Sequence, residues 1–396
     1  MGEFDGIRPY QDDEVPGVLL RLQQDRDLLQ TLARYRFPRL NRWLPGLAAR
    51  LVAGGVRREL QGVATVDALQ RRLEPWLDKV IERSALQVTY SGLENLSKTR
   101  PHLFLANHRD IAMDPAFVNY ALYHGGHPTP RIAIGDNLLQ RSFVGDLMRL
   151  NKCFIVHRSV AGRREKLAVY QTLSAYIHHS IAEGHSVWIA QAEGRAKDGC
   201  DRTDTAIIKM LCMSRKNESF TEVVRSLNIV PVSIAYEWDP CDQMKARELE
   251  QRERTGSYSK QPGEDDSSIA KGLTGYKGRV HIAFGTPLTD DYADARAVAS
   301  ETDRQILGLY RLYPSNYLAV EKLPDVPAEV DISGWREQFE PAMLAEEQQR
   351  FDQRLAACPQ EQRLWWLRQY ANPVISRQKV SDQRGRNAQQ QGEPQA

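Results

Sequence analysis

A histidine and two carboxylates crowd one short stretch of this sequence: Leu103-Phe104-Leu105-Ala106-Asn107-His108-Arg109-Asp110-Ile111-Ala112-Met113-Asp114-Pro115. A histidine held by a carboxylate on one ring nitrogen can use the other to take a proton from an alcohol. The apolar residues Leu103 to Ala106 read as a buried strand, so Asn107 and His108 leave the sheet at the edge where α/β enzymes place their chemistry. Positions six apart on a continuous helix are rotated by about 240° and do not face each other. His108 and Asp114 can therefore meet only across a loop. Asp114-Pro115 supports one, since Asp at the cap and Pro at the first helical position start a helix that continues through Ala116 to Tyr123. From these residues alone, Asp114 could equally be a plain cap and His108 an ordinary strand-end residue.

Three further stretches begin where an apolar strand ends or runs out. Cys153 to Val156 leads to His157-Arg158, Val187 to Ala190 leads to Glu193-Gly194-Arg195-Ala196-Lys197-Asp198-Gly199, and Ile229-Val230 leads to Pro231 and on to Tyr236-Glu237. In a parallel sheet these ends share one edge, which would bring Arg158, Arg195 and Lys197 toward His108. Converging cations need an anion, and a phosphate monoester fits because arginine offers bidentate hydrogen bonds and glycine lets backbone approach. Each piece alone could be a surface charge, and Glu193 with Arg195 could be a local ion pair.

The elements that must position these residues alternate. Strands are expected at 86–91, 103–106, 131–134, 153–156, 186–191, 229–235 and 279–285. Helices are expected at 66–83 (interrupted at Pro75), 115–124, 139–150, 161–183, 203–216, 294–311 and 335–370. This order predicts an α/β fold: a mostly parallel central sheet flanked by helices, with an N-terminal amphipathic helical region and C-terminal helices. The expected division is a helical region at 1–84, an α/β domain at 85–325, a helical extension at 326–375 and a disordered tail at 376–396. The polar segment 245–278 reads as a solvated insertion loop.

A length of 396 residues with 41% hydrophobic content supports a substantial core, and a net charge of +2 demands no polyanionic partner. The electrostatic message is local. Between Leu28 and Arg58 there is no Asp or Glu, while Arg34, Arg36, Arg39, Arg42, Arg50, Arg57 and Arg58 alternate with Tyr35, Leu40, Trp43, Leu44, Leu47 and Leu51. Pro38 and Pro45 should break the segment into short helices. Arginine beside Trp and Leu is the composition of helices that lie in a membrane interface, and a basic residue near an anionic surface contributes about 1 kcal/mol. No zinc finger, RNP or helix-turn-helix signature accompanies the arginines, so nucleic acid is not expected. The five scattered cysteines contain no C-x-x-C pair and predict neither disulfides nor a zinc site. The acidic start Met1-Gly2-Glu3-Phe4-Asp5 is no signal peptide, and no apolar run approaches the roughly 18 residues that span a bilayer. Membrane contact, if any, should be peripheral, at the cytoplasmic face of the inner membrane.

The motifs resemble a family. Asn107 to Asp114 is similar to the first block of the glycerolipid acyltransferases, the glycerol-3-phosphate and 1-acylglycerol-3-phosphate (lysophosphatidate) enzymes. Leu150 to Arg158 is similar to their second block, Ala192 to Lys197 to their third and Ile229 to Glu237 to their fourth, with Ser91 to Leu96 like their lead-in. The resemblance covers about residues 86–290, in order and spacing. It implies transfer of a fatty acyl group from acyl-CoA or acyl carrier protein to a glycerol phosphate hydroxyl in phospholipid biosynthesis, with no cofactor beyond that co-substrate and no metal. It further implies His108 as general base, an orienting carboxylate, and Asn107, Arg109, Arg158, Glu193, Gly194, Arg195, Lys197 and Pro231 around the substrate. The sequence departs from the family in two places. Five residues separate His108 from Asp114, one more than the family's usual spacing, so Asp114 is assigned by the register of the helix after it and Asp110 is the contender. The third block's arginine also stands one residue early, at Arg195.

Other classes remain readable from the residues. His108, Asp110 and Asp114 with His124 or His127 could serve a metal-dependent hydrolase. The basic helices could serve a non-catalytic membrane adaptor, and another lysolipid such as an ornithine lipid could be the acceptor.

Overall fold

The computed structural model describes residues 2–391 apart from Gln140 and Ala161, with side chains as far as Ser381. In chain order the helices α1 (Val15–Gln24), α2 (Arg26–Arg36), α3 (Pro38–Trp43), α4 (Pro45–Glu59) and α5 (Val66–Ser84) precede the strands β1 (Gln87–Ser91) and β2 (Leu103–Ala106). Then come α6 (Met113–His124), β3 (Arg131–Gly135), α7 (Ser142–Leu150), β4 (Cys153–Val156), α8 (Arg163–Ala182) and β5 (Val187–Ala190). The rest is α9 (Thr205–Leu211), α10 (Phe220–Leu227), β6 (Ile229–Tyr236), α11 (Asp242–Thr255), α12 (Glu264–Thr274), β7 (Arg279–Phe284), α13 (Ala295–Leu309), α14 (Pro314–Lys322), α15 (Pro341–Ala357) and α16 (Arg363–Gln391).

The chain forms two compact units, one of Met1–Val80 with Pro130–Ser180 and one of Ile81–Thr129 with Ile181–Ala396. In the second, five strands run in the order β1-β7-β6-β2-β5. Every pairing there is parallel except β6 with β7. This is the mostly parallel α/β arrangement expected. Strand β2 lies between β5 and β6, with Leu105 level with Ile189 on one side and Pro231 on the other. All four of its residues are at most 1% exposed, which explains the uninterrupted apolar run. Because β5, β2 and β6 are parallel, the segments that follow them leave from one edge. Gly92, just after β1, sits at φ +82° against the Phe284 carbonyl, where any Cβ would collide.

The C-terminal helices cover this unit with a core of Trp238, Phe351, Trp366, Tyr370 and Val374. A buried ion network adjoins that core: Arg279 donates to Glu237 (2.5 Å) and lies 3.7 Å from Glu347, which accepts from the Trp238 indole (2.9 Å). Burial, followed by the nearby Glu347, pushes the Glu237 carboxyl up to about 7. A carboxyl raised in the folded state stabilises below its unfolded pKa of 4.5, and that contribution is lost as pH rises through about 7. The melting temperature should therefore fall between pH 5 and 8, and Glu237→Gln should flatten that slope, as differential scanning calorimetry across the range would show.

In the first unit, β3 and β4 pair in parallel. Helices α1 and α7 share a core of Val15, Val18, Leu19, Leu22, Phe143 and Leu150. Pro38 and Pro45 each open a helix, as expected from the first-turn tolerance for proline. Helices α2 to α4 close on Ala33, Ala48 and Val52. Their outer side leaves Tyr35, Trp43, Leu44, Leu47 and Leu51 exposed, Trp43 by 79%. Arg42 lies over the Trp43 ring at 5.9 Å. Among the described residues no helix is long and apolar enough to cross a membrane.

Four expectations need correction. Helix α5 runs through Pro75 without a break. The segment 245–278 is not a loop but holds most of α11 and all of α12. Helices α10 and α14, short and flanked by strand or turn, were not anticipated. The segment beyond Ser376 is helical to Gln391, since Gln, Arg and Ala sustain a helix without apolar anchors, while 392–396 lie outside the described residues.

Candidate active site

His108 lies two residues past the end of β2, after Asn107, and the turn Arg109–Ala112 brings Asp114, in the first turn of α6, back to it. His108 Nδ1 lies 2.8 Å from Asp114 Oδ2. The same oxygen accepts the backbone N–H of Arg109 (2.5 Å) and of Asp110 (2.9 Å), while Oδ1 accepts the Tyr236 hydroxyl at 2.6 Å. Asp114 is fully buried and every one of these partners is a donor, so it is held as an acceptor and the proton between the pair belongs to Nδ1. In the neutral ring Nε2 then carries the free lone pair. The His108 side chain is 16% exposed, and its ring meets the edge of Trp188, on β5, at 6.0 Å. Burial keeps the Tyr236 phenol well above its ordinary pKa, so it remains a donor to Asp114.

Asp110 does different work. Its Oδ1 accepts the N–H groups of Ala112 (3.0 Å) and Met113 (2.9 Å), the entry to α6, and its Oδ2 faces Gly272 of α12. Burial, then the Asp114 charge, raise its carboxyl above the usual range. The contest between the two carboxylates is thereby resolved geometrically: Asp114 holds the imidazole and Asp110 caps the turn. With N–H donors aimed at Asp110 Oδ1 and at Asp114, these carboxylates are a poor set for a cation.

The loop after β5 is stitched to the same place. The Gln191 N–H donates to the Ala106 carbonyl (2.8 Å) and the Ala196 N–H to the His108 carbonyl (2.8 Å). Glu193 and Gly194 are exposed, with Gly194 at φ +82°. Arg195 and Lys197 flank Ala196. Arg195 donates to Ser268 Oγ (2.7 Å), and Lys197 Nζ to Glu248 (2.5 Å). Burial pulls the Lys197 ammonium below its usual pKa, with Glu248 opposing.

Asn107 and Arg109, expected near the substrate, instead serve the scaffold. Asn107 is buried and trades hydrogen bonds with the backbone of Ile234 on β6, taking Asp201 as a further acceptor. Arg109 is buried in an ion pair with Asp201 (2.6 Å) beneath the Tyr310 ring. Pro231 is buried within β6, level with Leu105, and is not at a strand end. Arg158 belongs to the first unit, where it is exposed and its N–H donates to Asp136 Oδ1 (3.1 Å). Sequence reasoning named Tyr236 in the fourth stretch without giving it a role, and missed Asp201, Lys245, Glu248 and Ser268. Tyr236 alone carried a signal, a hydroxyl at the last position of an apolar strand.

Comparison with known proteins bears on the same stretch. The family model described as Acyltransferase matches residues 87–236. The glycerol-3-phosphate acyltransferase of Pseudoalteromonas translucida is 29% identical over 226 residues, covering 55% of this chain and 25% of that one. The dihydroxyacetone phosphate acyltransferase of Bos taurus is 25% identical over 221 residues, 54% of this chain and 31% of that one. The match thus spans no more than about a third of either relative's length. A solved 1-acyl-sn-glycerophosphate acyltransferase from Thermotoga maritima aligns with 72% of this chain and 94% of its own, at 16% identity and a TM-score of 0.37, a likeness too slight to carry any argument.

Proposed function

From the premise that this chain carries a domain of the acyltransferase family over residues 87–236, we propose that it moves a fatty acyl group from acyl-CoA or acyl carrier protein to a hydroxyl of glycerol 3-phosphate or 1-acylglycerol 3-phosphate. The observation that carries the reading is the His108–Asp114 pair, with Nε2 left as the free base beside a loop that bears Arg195. In the forward step Nε2 takes the hydroxyl proton as the acceptor oxygen attacks the thioester carbonyl. The C–S bond then breaks, the imidazolium returns its proton to the departing sulfur, and an ester and a free thiol result. Asp114 balances the imidazolium while it exists. A base so placed supplies roughly a 10²- to 10⁴-fold rate gain, and no covalent acyl-enzyme is required. Arg195 grips the acceptor's phosphate. The two curated relatives, both named for three-carbon phosphate acceptors, support that choice. The test is the acceptor dependence of thiol release. With acyl-CoA alone the purified protein should release little free thiol, and adding a glycerol phosphate should raise the rate severalfold. Equal release without acceptor would indicate a hydrolase.

The exposed side of α2 to α4 supports peripheral binding to an anionic lipid surface, where acyl acceptors and products reside. Trp43, Leu44, Leu47 and Leu51 offer apolar area to the interface, and the flanking arginines offer charge. Trp43→Ser with Leu47→Glu should cut sedimentation with phosphatidylglycerol vesicles by about tenfold or more, as two exposed apolar anchors for the lipid are lost. Undiminished vesicle binding by the double variant would remove this face from the account.

A further inference from the structure

Helices α11 and α12, inserted between β6 and β7, send buried side chains to each part of the site. Lys245 Nζ donates to the Arg109 carbonyl (2.8 Å), Glu248 holds Lys197, Ser268 holds Arg195, and Gly272 leaves no room for a Cβ beside the Asp110 carboxylate. The polar segment is a wall of the site.

That wall treats the two cations unequally. Both flank Ala196, whose N–H is bonded to the His108 carbonyl, so both lie beside the backbone of the base. Lys197 is met by Glu248, 4% exposed, which also takes Arg252 at 2.6 Å. Arg195 is aimed by a neutral hydroxyl, and among the described residues no carboxylate pairs with it within 4.0 Å; its charge does reach the buried Asp239, which is itself paired with Lys245. A carboxylate bound to an ammonium cancels most of its pull on a third charge, whereas a hydroxyl aims a guanidinium without discharging it.

We propose that Glu248 determines how strongly this site holds a phosphate: by pairing with Lys197 it leaves Arg195, aimed by Ser268, as the cation of this loop that meets the acceptor's anion. The proposal rests on the acyl-transfer reading for the identity of the ligand, and on the geometry alone for the inequality of the cations. Glu248 is thus a specificity-determining residue, one that trades grip on a phosphate monoester for release of a phosphate-bearing product.

The experiment is titration calorimetry of inorganic phosphate into the full chain. Glu248→Gln, which keeps the shape and frees Lys197, should bind phosphate about fivefold more tightly or better. Ser268→Ala should weaken binding about threefold to tenfold by loosening Arg195. Arg254→Gln lowers the positive charge of the same helix at a residue paired with Glu250, touching neither Glu248 nor Lys197, and should leave affinity where it was. Should Glu248→Gln fail to fold, Glu248→Asp, whose shorter side chain draws away from Lys197, should show an intermediate tightening. A folded Glu248 variant that binds phosphate no more tightly than the wild type overturns the proposal, as does weakening by Arg254→Gln equal to that by Ser268→Ala. Thiol release measured on the same preparations separates this inference from the reaction. Tightening without turnover on glycerol phosphates would sink the reaction and keep the cation assignment, and turnover without tightening would do the reverse.

Discussion

Replacing His108 with Ala should reduce acyl transfer by on the order of 10²- to 10⁴-fold, down to whatever rate positioning alone provides. The loss should fall on kcat. Nothing else in the described site offers a lone pair where Nε2 stands, because Asp114 is spent on four donors and Asp110 is turned toward α6. Folding should survive the change. Asp114 keeps the Arg109 and Asp110 N–H groups and the Tyr236 hydroxyl, and the turn they define does not depend on the imidazole. Circular dichroism and a melting curve close to those of the wild type, beside a collapsed rate, would be the signature. A variant that melts normally and still turns over would show that the proton goes elsewhere.

The second large effect is expected from Asp114→Asn. An amide can place its oxygen where Oδ2 stood and still accept from the two backbone N–H groups and from Nδ1, but its NH₂ then faces the Tyr236 hydroxyl, which must turn from donor to acceptor. The fold should remain, weakened by about 1 to 3 kcal/mol as one buried interaction is rearranged. Activity should fall by about 10²- to 10⁴-fold, because the imidazolium formed in the reaction loses its counter-charge. Asp110→Asn supplies the contrast. Asp110 accepts two N–H groups at the entry to α6 and does not touch His108, so its loss should cost about 1 kcal/mol of stability and far less rate. If Asp110→Asn were the more damaging to kcat, the assignment of the pair would be reversed.

Much of this centre could be read from residue order. The run Leu103 to Ala106 is apolar because β2 is covered on both faces, so a histidine two residues after it had to emerge at the sheet edge. Asp114-Pro115 marked the helix start closely enough to require a turn, and the turn is what lets residues six apart meet. The cations were harder. Sequence placed Arg195 and Lys197 together, but not their partners, because those partners lie 73 and 51 residues further along, respectively. Helix α11 escaped notice for a physical reason: the residues it buries are Asp242, Lys245, Ala246 and Glu248, so its inward face is charged and hydropathy shows no stripe. Helix α10 did carry a signal, the Ser219 and Glu222 capping box ahead of Val223, Val224 and Leu227, which its brevity masked. Asn107 and Arg109 were misplaced as ligands because polarity at a strand end looks the same whether it faces a substrate or, as here, Ile234 and Asp201.

The claim underlying all of this is that the base at the end of β2 makes an ester on a glycerol phosphate. Mass spectrometry of the products tests it most directly, with purified protein given palmitoyl-CoA and either glycerol 3-phosphate or 1-acylglycerol 3-phosphate. One acceptor should gain one palmitoyl group in place of one hydroxyl hydrogen, in amounts equal to the CoA set free, and His108→Ala should yield neither. Free palmitate in place of the ester, or ester formed equally well by His108→Ala, would contradict it.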